Sequence, residues 1–295
     1  MPAEKRFYTI NEINKDNFFS VKIVSEFGYY QTHLPPLIFK LSNLKILEIQ
    51  VGELIEIQDD ICHLVNLQEL YLQSNKIERV SNKIAQLSKL KKLRLSDNKI
   101  SDITSICSIP NLMELEIGRN EIKSIPDEIG NLRKLRKLDL GNIFFSNEIE
   151  NVSPQIGLLE NLEILTIHGA RLEILNESIG RLAKLRNLSI RNSQVNEIRF
   201  VFDQLQDLEV LDFTNNNISS FSSNLSKAVN LKSIYIDNNP INQIPESILN
   251  LPKLKIIGIS GTQVDSDSIE SYKRTYPNIK FLTAKGYFTE TFNKN

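Results

Sequence analysis

Cysteine is scarce. Cys62 and Cys107 are the only two among 295 residues, too few for a disulfide framework and in keeping with a reducing compartment. Histidine is nearly as rare: His33, His63 and His168 fall in separate parts of the chain, so no shared metal site is expected. An excess of one charge is also missing. Thirty-five basic residues stand against 36 acidic ones, a formal net charge of −1. A dedicated nucleic-acid binder carries a clear basic excess, and anionic membranes attract polybasic segments, so this balance argues against both. No apolar run approaches the ~18 residues of a transmembrane helix. The opening MPAEKRFYTINEINKDNFFS lacks the basic-then-apolar layout of a secretory leader. A cytoplasmic protein is expected, with a secreted or surface-exposed one as the alternative if a leader has been removed.

The motifs that carry chemistry are missing too. The chain has no H-E-x-x-H, no P-loop, no G-x-S-x-G and no paired C-x-x-C. Cys62 adjoins His63, but neighbouring side chains seldom converge, and the thiol reads as a small packing group. No catalytic residue, no metal and no cofactor is expected.

What is present is a period. The apolar frame L-x-x-L-x-L recurs from Leu44 at Leu67, Leu90, Leu112, Leu135, Leu162, Leu185, Leu208, Leu231 and Leu254, with a weaker start at Ile279. Most steps are 23 residues, one is 22, and the step from Leu135 to Leu162 is 27. In the unit from Leu67, Leu70 and Leu72 are two apart, so a short strand points both inward. Asn75 follows where the chain turns, and its amide can bond backbone groups that no ladder reaches. Ile84 and Leu87, three apart, suit a helical or 3₁₀ turn on the opposite side. One such unit cannot bury its apolar side alone, whereas a stack shares one core.

These segments resemble leucine-rich repeats of the 23-residue kind. Ile125–Leu132 and Ile244–Leu251 match the I-P-x-x-I-x-x-L half of that pattern, and Leu34–Leu41 matches it loosely, placing a degenerate first repeat at about 21–43. The resemblance implies an α/β solenoid: a curved parallel β-sheet of eleven strands on the concave face, with short helical or 3₁₀ turns and loops on the convex face. One domain over 1–295 is expected, with an irregular N-terminal cap at 1–20, ten to eleven repeats over 21–264, and a C-terminal cap at 265–295. In that cap DSDSIESYKRTY reads as a capped helix and IKFLTA as a final strand. Tyr287, Phe288 and Phe292 are available to cover the last coil.

Two departures interrupt the pattern. The asparagine position holds Asn75, Asn98, Asn120, Asn216 and Asn239, but Gly52, Ala170, Ser193 and Thr262 elsewhere, so the ladder of amides breaks in the middle. The 27-residue unit places its extra residues between Gly141 and Glu148, a loop at the rim of the concave face. Phe144 and Phe145 on it are candidate binding anchors.

Side chains alternate along a strand, so the non-leucine positions face the concavity. The first row runs Ile46, Glu69, Lys92, Glu114, Lys137, Ile164, Asn187, Val210, Ser233, Ile256. Its alternating charges predict lateral pairing between strands ~4.8 Å apart. The second runs Glu48, Tyr71, Arg94, Glu116, Asp139, Thr166, Ser189, Asp212, Tyr235, Gly258, and the third Gln50, Gln73, Ser96, Gly118, Gly141, His168, Arg191, Thr214, Asp237, Ser260. Aromatic, arginine and acidic groups mix there as interfaces favour. Candidate contacts are Tyr71, Arg94, Glu116, Asp139, His168, Arg191, Asp212, Tyr235 and Asp237, on a face expected to be solvated. Basic groups before the strands, Lys89 to Arg94 and Arg133 to Lys137, suit an acidic partner or a phosphate backbone.

The pattern points to a non-catalytic module that binds a protein partner through the concave face and the rim insertion. No nucleic acid and no membrane span are expected, and a monomer is. The alternatives are the substrate-recognition part of a larger enzyme system, or an exported protein that binds a surface ligand or glycan.

Overall fold

The computed structural model describes residues 5–7, 20–23, 30–141, 149–222 and 224–283. The rim insertion with Phe144 and Phe145, and the C-terminal Tyr287, Phe288 and Phe292, lie outside them.

The repeat unit becomes one strand, one turn and one return. Among the described residues the main parallel sheet has thirteen strands in chain order. Its strands are β1 (Lys5–Phe7), β2 (Ser20–Ile23), β3 (Ile46–Ile49), β4 (Glu69–Tyr71), β5 (Lys92–Arg94), β6 (Glu114–Glu116) and β7 (Lys137–Asp139). There follow β8 (Ile164–His168), β9 (Asn187–Arg191), β10 (Val210–Asp212), β11 (Ser233–Tyr235), β12 (Ile256–Gly258) and β13 (Lys280–Leu282). The register places each central leucine opposite the next: Leu47, Leu70, Leu93, Leu115 and Leu138 pair in turn, and all five are fully buried. Those leucines, with the isoleucines of the return, form one apolar core from Leu34 to Phe281.

The sheet exceeds the expected eleven strands. It runs into the N-terminal region expected to be irregular, where β1 pairs with β2 and β2 with β3. A parallel sheet presents a row of unpaired N–H and C=O groups at each edge, and added strands satisfy part of that row. At the other end α1 (Glu246–Leu249) is the return of the last full repeat, and α2 (Ser266–Thr275) follows it. The side chain of Asp265 accepts from Ser268 N at 2.8 Å, capping α2 as the sequence suggested. Tyr272 stacks on Phe281 of β13 with ring centroids 6.1 Å apart, so the cap helix leans on the final strand.

The returns are mostly 3₁₀ turns such as Asn82–Gln86, Asp127–Asn131 and Pro154–Leu158, each burying its central isoleucine. Short two-residue strands also pair on this side, for example Glu56–Ile57 with Arg79–Val80. Among the described residues no helix is long and apolar enough to cross a membrane.

The asparagine column closes each turn. Asn98 Oδ1 accepts from Ile77 N at 2.9 Å, and its Nδ2 donates to Leu72 O and Leu95 O at 3.0 and 2.9 Å. The residue before each asparagine is left-handed: Ser74, Asp97, Arg119, Asn215 and Asn238 have φ between 53° and 63°. Where the column breaks, the backbone takes over. β8 and β9 run for five residues rather than three and pair as far as His168 opposite Arg191. Ser193 Oγ, standing for the amide, accepts from Ala170 N at 3.2 Å and donates to Arg191 O at 3.1 Å.

Candidate functional site

Alternation places the three non-leucine rows on the concave side. The proposed contact residues fall there in two groups of different character.

The first group lies on β4 to β7. Glu69, Lys92 and Glu114 pair laterally as expected, with Lys92 Nζ 3.8 Å from Glu69 and 3.6 Å from Glu114. Lys137 does not continue that row. Its Nζ reaches diagonally to Glu116 of the second row at 2.7 Å, where Arg94 Nε also approaches Glu116 at 3.2 Å. Tyr71 donates its hydroxyl to Glu69 while the Arg94 guanidinium lies 5.0 Å over its ring. Burial and the bond to Glu69 both push the Tyr71 phenol upward, so it stays a donor. Asp139 ends this group. Its Oδ1 accepts from Gly141 N at 2.8 Å, and burial raises its carboxyl above the usual range.

The second group lies on β8 to β11. The Arg191 Nε donates to Asp212 Oδ2 at 2.6 Å, and its Nη2 meets the same oxygen. Asp212 Oδ1 accepts from Thr214 N at 3.0 Å. His168 Nε2 is hydrogen-bonded to Ser189 Oγ at 2.9 Å. Burial first, then the Arg191 charge, lowers the imidazole to about 4, so it is neutral near pH 7. Asp237 Oδ1 accepts from Ser260 N at 2.8 Å; burial and the Asp212 charge both raise this carboxyl.

This second group departs from the solvated face expected of it. Asp212 is 0% exposed, Asp237 3% and Tyr235 9%. The physical cause lies in side-chain size across neighbouring strands. Gly258 has no side chain, and a Cβ built there would meet Asp237 Oδ2 at 2.3 Å and the Tyr235 ring at 2.9 Å. The aspartate and the tyrosine therefore pack down into the space that glycine leaves. Sequence reasoning passed over Ser189, which bonds His168, and Thr214 and Ser260, whose backbone N–H groups bond Asp212 and Asp237. Their signal was present in the +23 register of the rows.

Most of the basic groups before the strands are engaged within the chain. Lys89 and Lys134 donate to Asn66 and Asn111 one repeat earlier, and those amides hold carbonyls of the coil before them, Ser42 O and Ser88 O. Lys184 with Asn161 and Lys253 with Asn230 repeat the arrangement. Arg136 forks onto Glu163 at 2.8 and 2.6 Å. These contacts clip neighbouring coils together along the edge where the chain enters the sheet.

Other features carry less. Both cysteines are free; Cys107 is buried, which pushes its thiol up to about 12, the behaviour of an inert packing group. A core void of about 10 Å³ lies among Phe202, Phe213, Phe221 and Ile218, room for about one water. A surface hollow of about 370 Å³ opens on the convex side by Arg181, Arg199 and Val201. Among the described residues no group of three His, Cys, Asp or Glu is placed to hold a metal.

Comparison with known proteins agrees with the repeat. Family models described as leucine-rich repeats match residues 65–108, 88–142 and 230–251. No curated protein sequence matches the chain. Among solved structures it is similar to the functional domain of InlJ from Listeria monocytogenes, with 18% identity and a TM-score of 0.71 over 91% of this chain and 53% of that one. It is also similar to the plant peptide hormone receptor RGFR1, solved in complex with RGF2, with 24% identity and a TM-score of 0.71 over 90% of this chain and 47% of that one. A third is TLR13, solved with ssRNA13, with 19% identity and a TM-score of 0.75 over 89% of this chain and 40% of that one. The chain thus spans about half the length of these structures or less. Likeness at this level identifies the fold, and one fold carries ligands as unlike as a peptide hormone and an RNA.

Proposed function

The chain belongs to the leucine-rich-repeat proteins, and from that premise we propose that it is a non-catalytic module that binds a protein partner through its concave face. The observation that carries this reading is the concave surface of β4 to β7. There a tyrosine, an arginine and a row of charged side chains lie on a rigid sheet, partly open to solvent. Rigid backbone beneath polar and aromatic side chains lowers the ordering cost of binding, and Tyr71 with Arg94 supplies the residue types that anchor interfaces. The balanced net charge and the internally engaged basic groups favour a protein over a nucleic acid as that partner.

The test is capture of partners from the native cell on immobilised protein, with identification of what is bound. We expect Tyr71→Ala/Arg94→Ala to lose the partners recovered by the unmodified chain while its melting curve shifts little, because both side chains are partly exposed. A convex control, Val229→Ser, should recover them undiminished. Recovery of the same partners at the same strength by the concave variant overturns the reading. Tyr235 is left out of the variant because it is buried, and its loss would disturb packing.

A further inference from the structure

The concave rows of β3 to β12 hold seven carboxylates and four cations. That is an excess of three negative charges over these ten strands; the register sets Arg6, Lys22 and Lys280 in the same rows at the two ends of the sheet. All four cations are committed: Lys92 to Glu69 and Glu114, Arg94 and Lys137 to Glu116, and Arg191 to Asp212. Asp139 and Asp237 form no ion pair among the described residues.

Asp212 shows what these two lack. One of its oxygens accepts a backbone N–H, from Thr214 two residues on, and the other accepts the Arg191 guanidinium. Asp139 occupies the same row and repeats the first half, accepting from Gly141 N two residues on. Arg191 sits one strand before Asp212 in the third row, and the equivalent place before Asp139 is Gly118, which has no side chain to offer. Asp237 is held by one backbone N–H at Oδ1, while its Oδ2, buried and lying over Gly258, has no hydrogen-bond partner. The neighbouring Thr214 Oγ1 is likewise buried and unpartnered. A buried acceptor left unpaired costs free energy that an incoming donor recovers.

We propose that the concave face receives a basic, extended segment of a partner protein, with one cationic side chain seated on Asp139 and a second on Asp237. This rests on the concave face being the binding face. Asp139 is on β7 and Asp237 follows β11, four strands away or ~19 Å. An extended chain rises ~3.3 Å per residue, so the two cations stand about six residues apart. Arginine fits better than lysine, since at Asp212 two guanidinium nitrogens of Arg191 close on the one oxygen that the backbone leaves open. Tyr235, whose ring stands beside Gly258, is the group the second cation displaces.

Fluorescence anisotropy tests this with synthetic twelve-residue Gly-Ser peptides carrying two arginines six residues apart, two adjacent arginines, two glutamates or two leucines at the same spacing. The spaced-arginine peptide should bind saturably and more tightly than the adjacent pair. Asp139→Asn and Asp237→Asn should each weaken it roughly tenfold, the worth of one charge-assisted hydrogen bond. Asparagine keeps the oxygen that accepts the backbone N–H, and thermal melts check folding; if Asp237→Asn unfolds, Asp139→Asn, at a half-buried position, decides alone. Absent binding, equal binding of the glutamate or leucine peptide, or binding indifferent to the folded variants overturns the proposal. If the arginine peptide fails while Tyr71→Ala/Arg94→Ala still loses cellular partners, the concave binding face stands and the basic segment falls.

Discussion

Replacing Asn98 with alanine tests how the turns are held. In the wild type its Oδ1 is the acceptor for the buried Ile77 N–H, and its Nδ2 serves Leu72 O and Leu95 O. Nδ2 also reaches Ser96 O at 3.5 Å, and the four lost bonds differ in consequence. Leu72 O also accepts from Asn75, and Leu95 O from Asn120, so each carbonyl keeps one amide. Ile77 N–H keeps nothing. An orphaned buried donor costs about 1–3 kcal/mol, and thinning the two shared carbonyls adds about 0.5 kcal/mol each, for an expected loss of about 2–4 kcal/mol. The shared carbonyl gives a second, sharper expectation. Asn75→Ala with Asn98→Ala strips Leu72 O of both amides, so the double variant should exceed the sum of the singles by about 1–2 kcal/mol. Urea unfolding followed by circular dichroism reads the total, and hydrogen exchange at Ile77 locates the loss in the turn. A single-variant cost below about 1 kcal/mol, or additivity of the pair, would refute the view that the amide column is the fastening of the turns.

Three further outcomes follow from particular contacts. Leu138→Asp puts an unpaired carboxylate into the fully buried leucine ladder and should unfold several repeats together; an unchanged melting curve would contradict the assigned frame. Gly118→Ala sets a Cβ 1.9 Å from Gly141 O, a backbone atom that cannot swing aside, so β6 and β7 must part; the expected loss is about 2–4 kcal/mol, and a neutral result by thermal melt would show that the strands can separate freely. Since His168 is lowered to about 4 from an ordinary 6.5, the unfolded chain takes up its proton first as pH falls. The stability it contributes is full above pH 6.5, declines from there to about pH 4, and amounts to roughly 3 kcal/mol. His168→Gln should flatten that part of the stability–pH curve, and an unaltered slope counts against the neutral buried imidazole.

The repeat was legible because burial imposes it locally. Every unit must turn the same leucines inward, so Leu70, Leu93, Leu115 and Leu138 declare both the strand and its register in a single sequence. The asparagine column was legible for a similar reason: one amide at one turn has one set of backbone partners. The broken middle was not. Nothing in Ala170 or Ser193 announces that β8 and β9 lengthen there, since the added pairing is made by backbone groups, which every residue shares.

The candidate site divides the same way. The sequence by itself determined which side chains face the concavity, because a period of two admits no choice once the leucines point inward. It also determined that Tyr71 and Arg94 stand on neighbouring strands. Tertiary structure decided which charges meet and which are covered. Lys137 turns to Glu116 rather than along its own row, and another strand brings Arg94 to the same carboxylate. Tyr235 and Asp237 sink out of solvent because Gly258 leaves space one strand away. Such outcomes depend on the volume and charge of neighbours 23 residues off along the chain, and only the stacking of coils brings those neighbours within reach of one another.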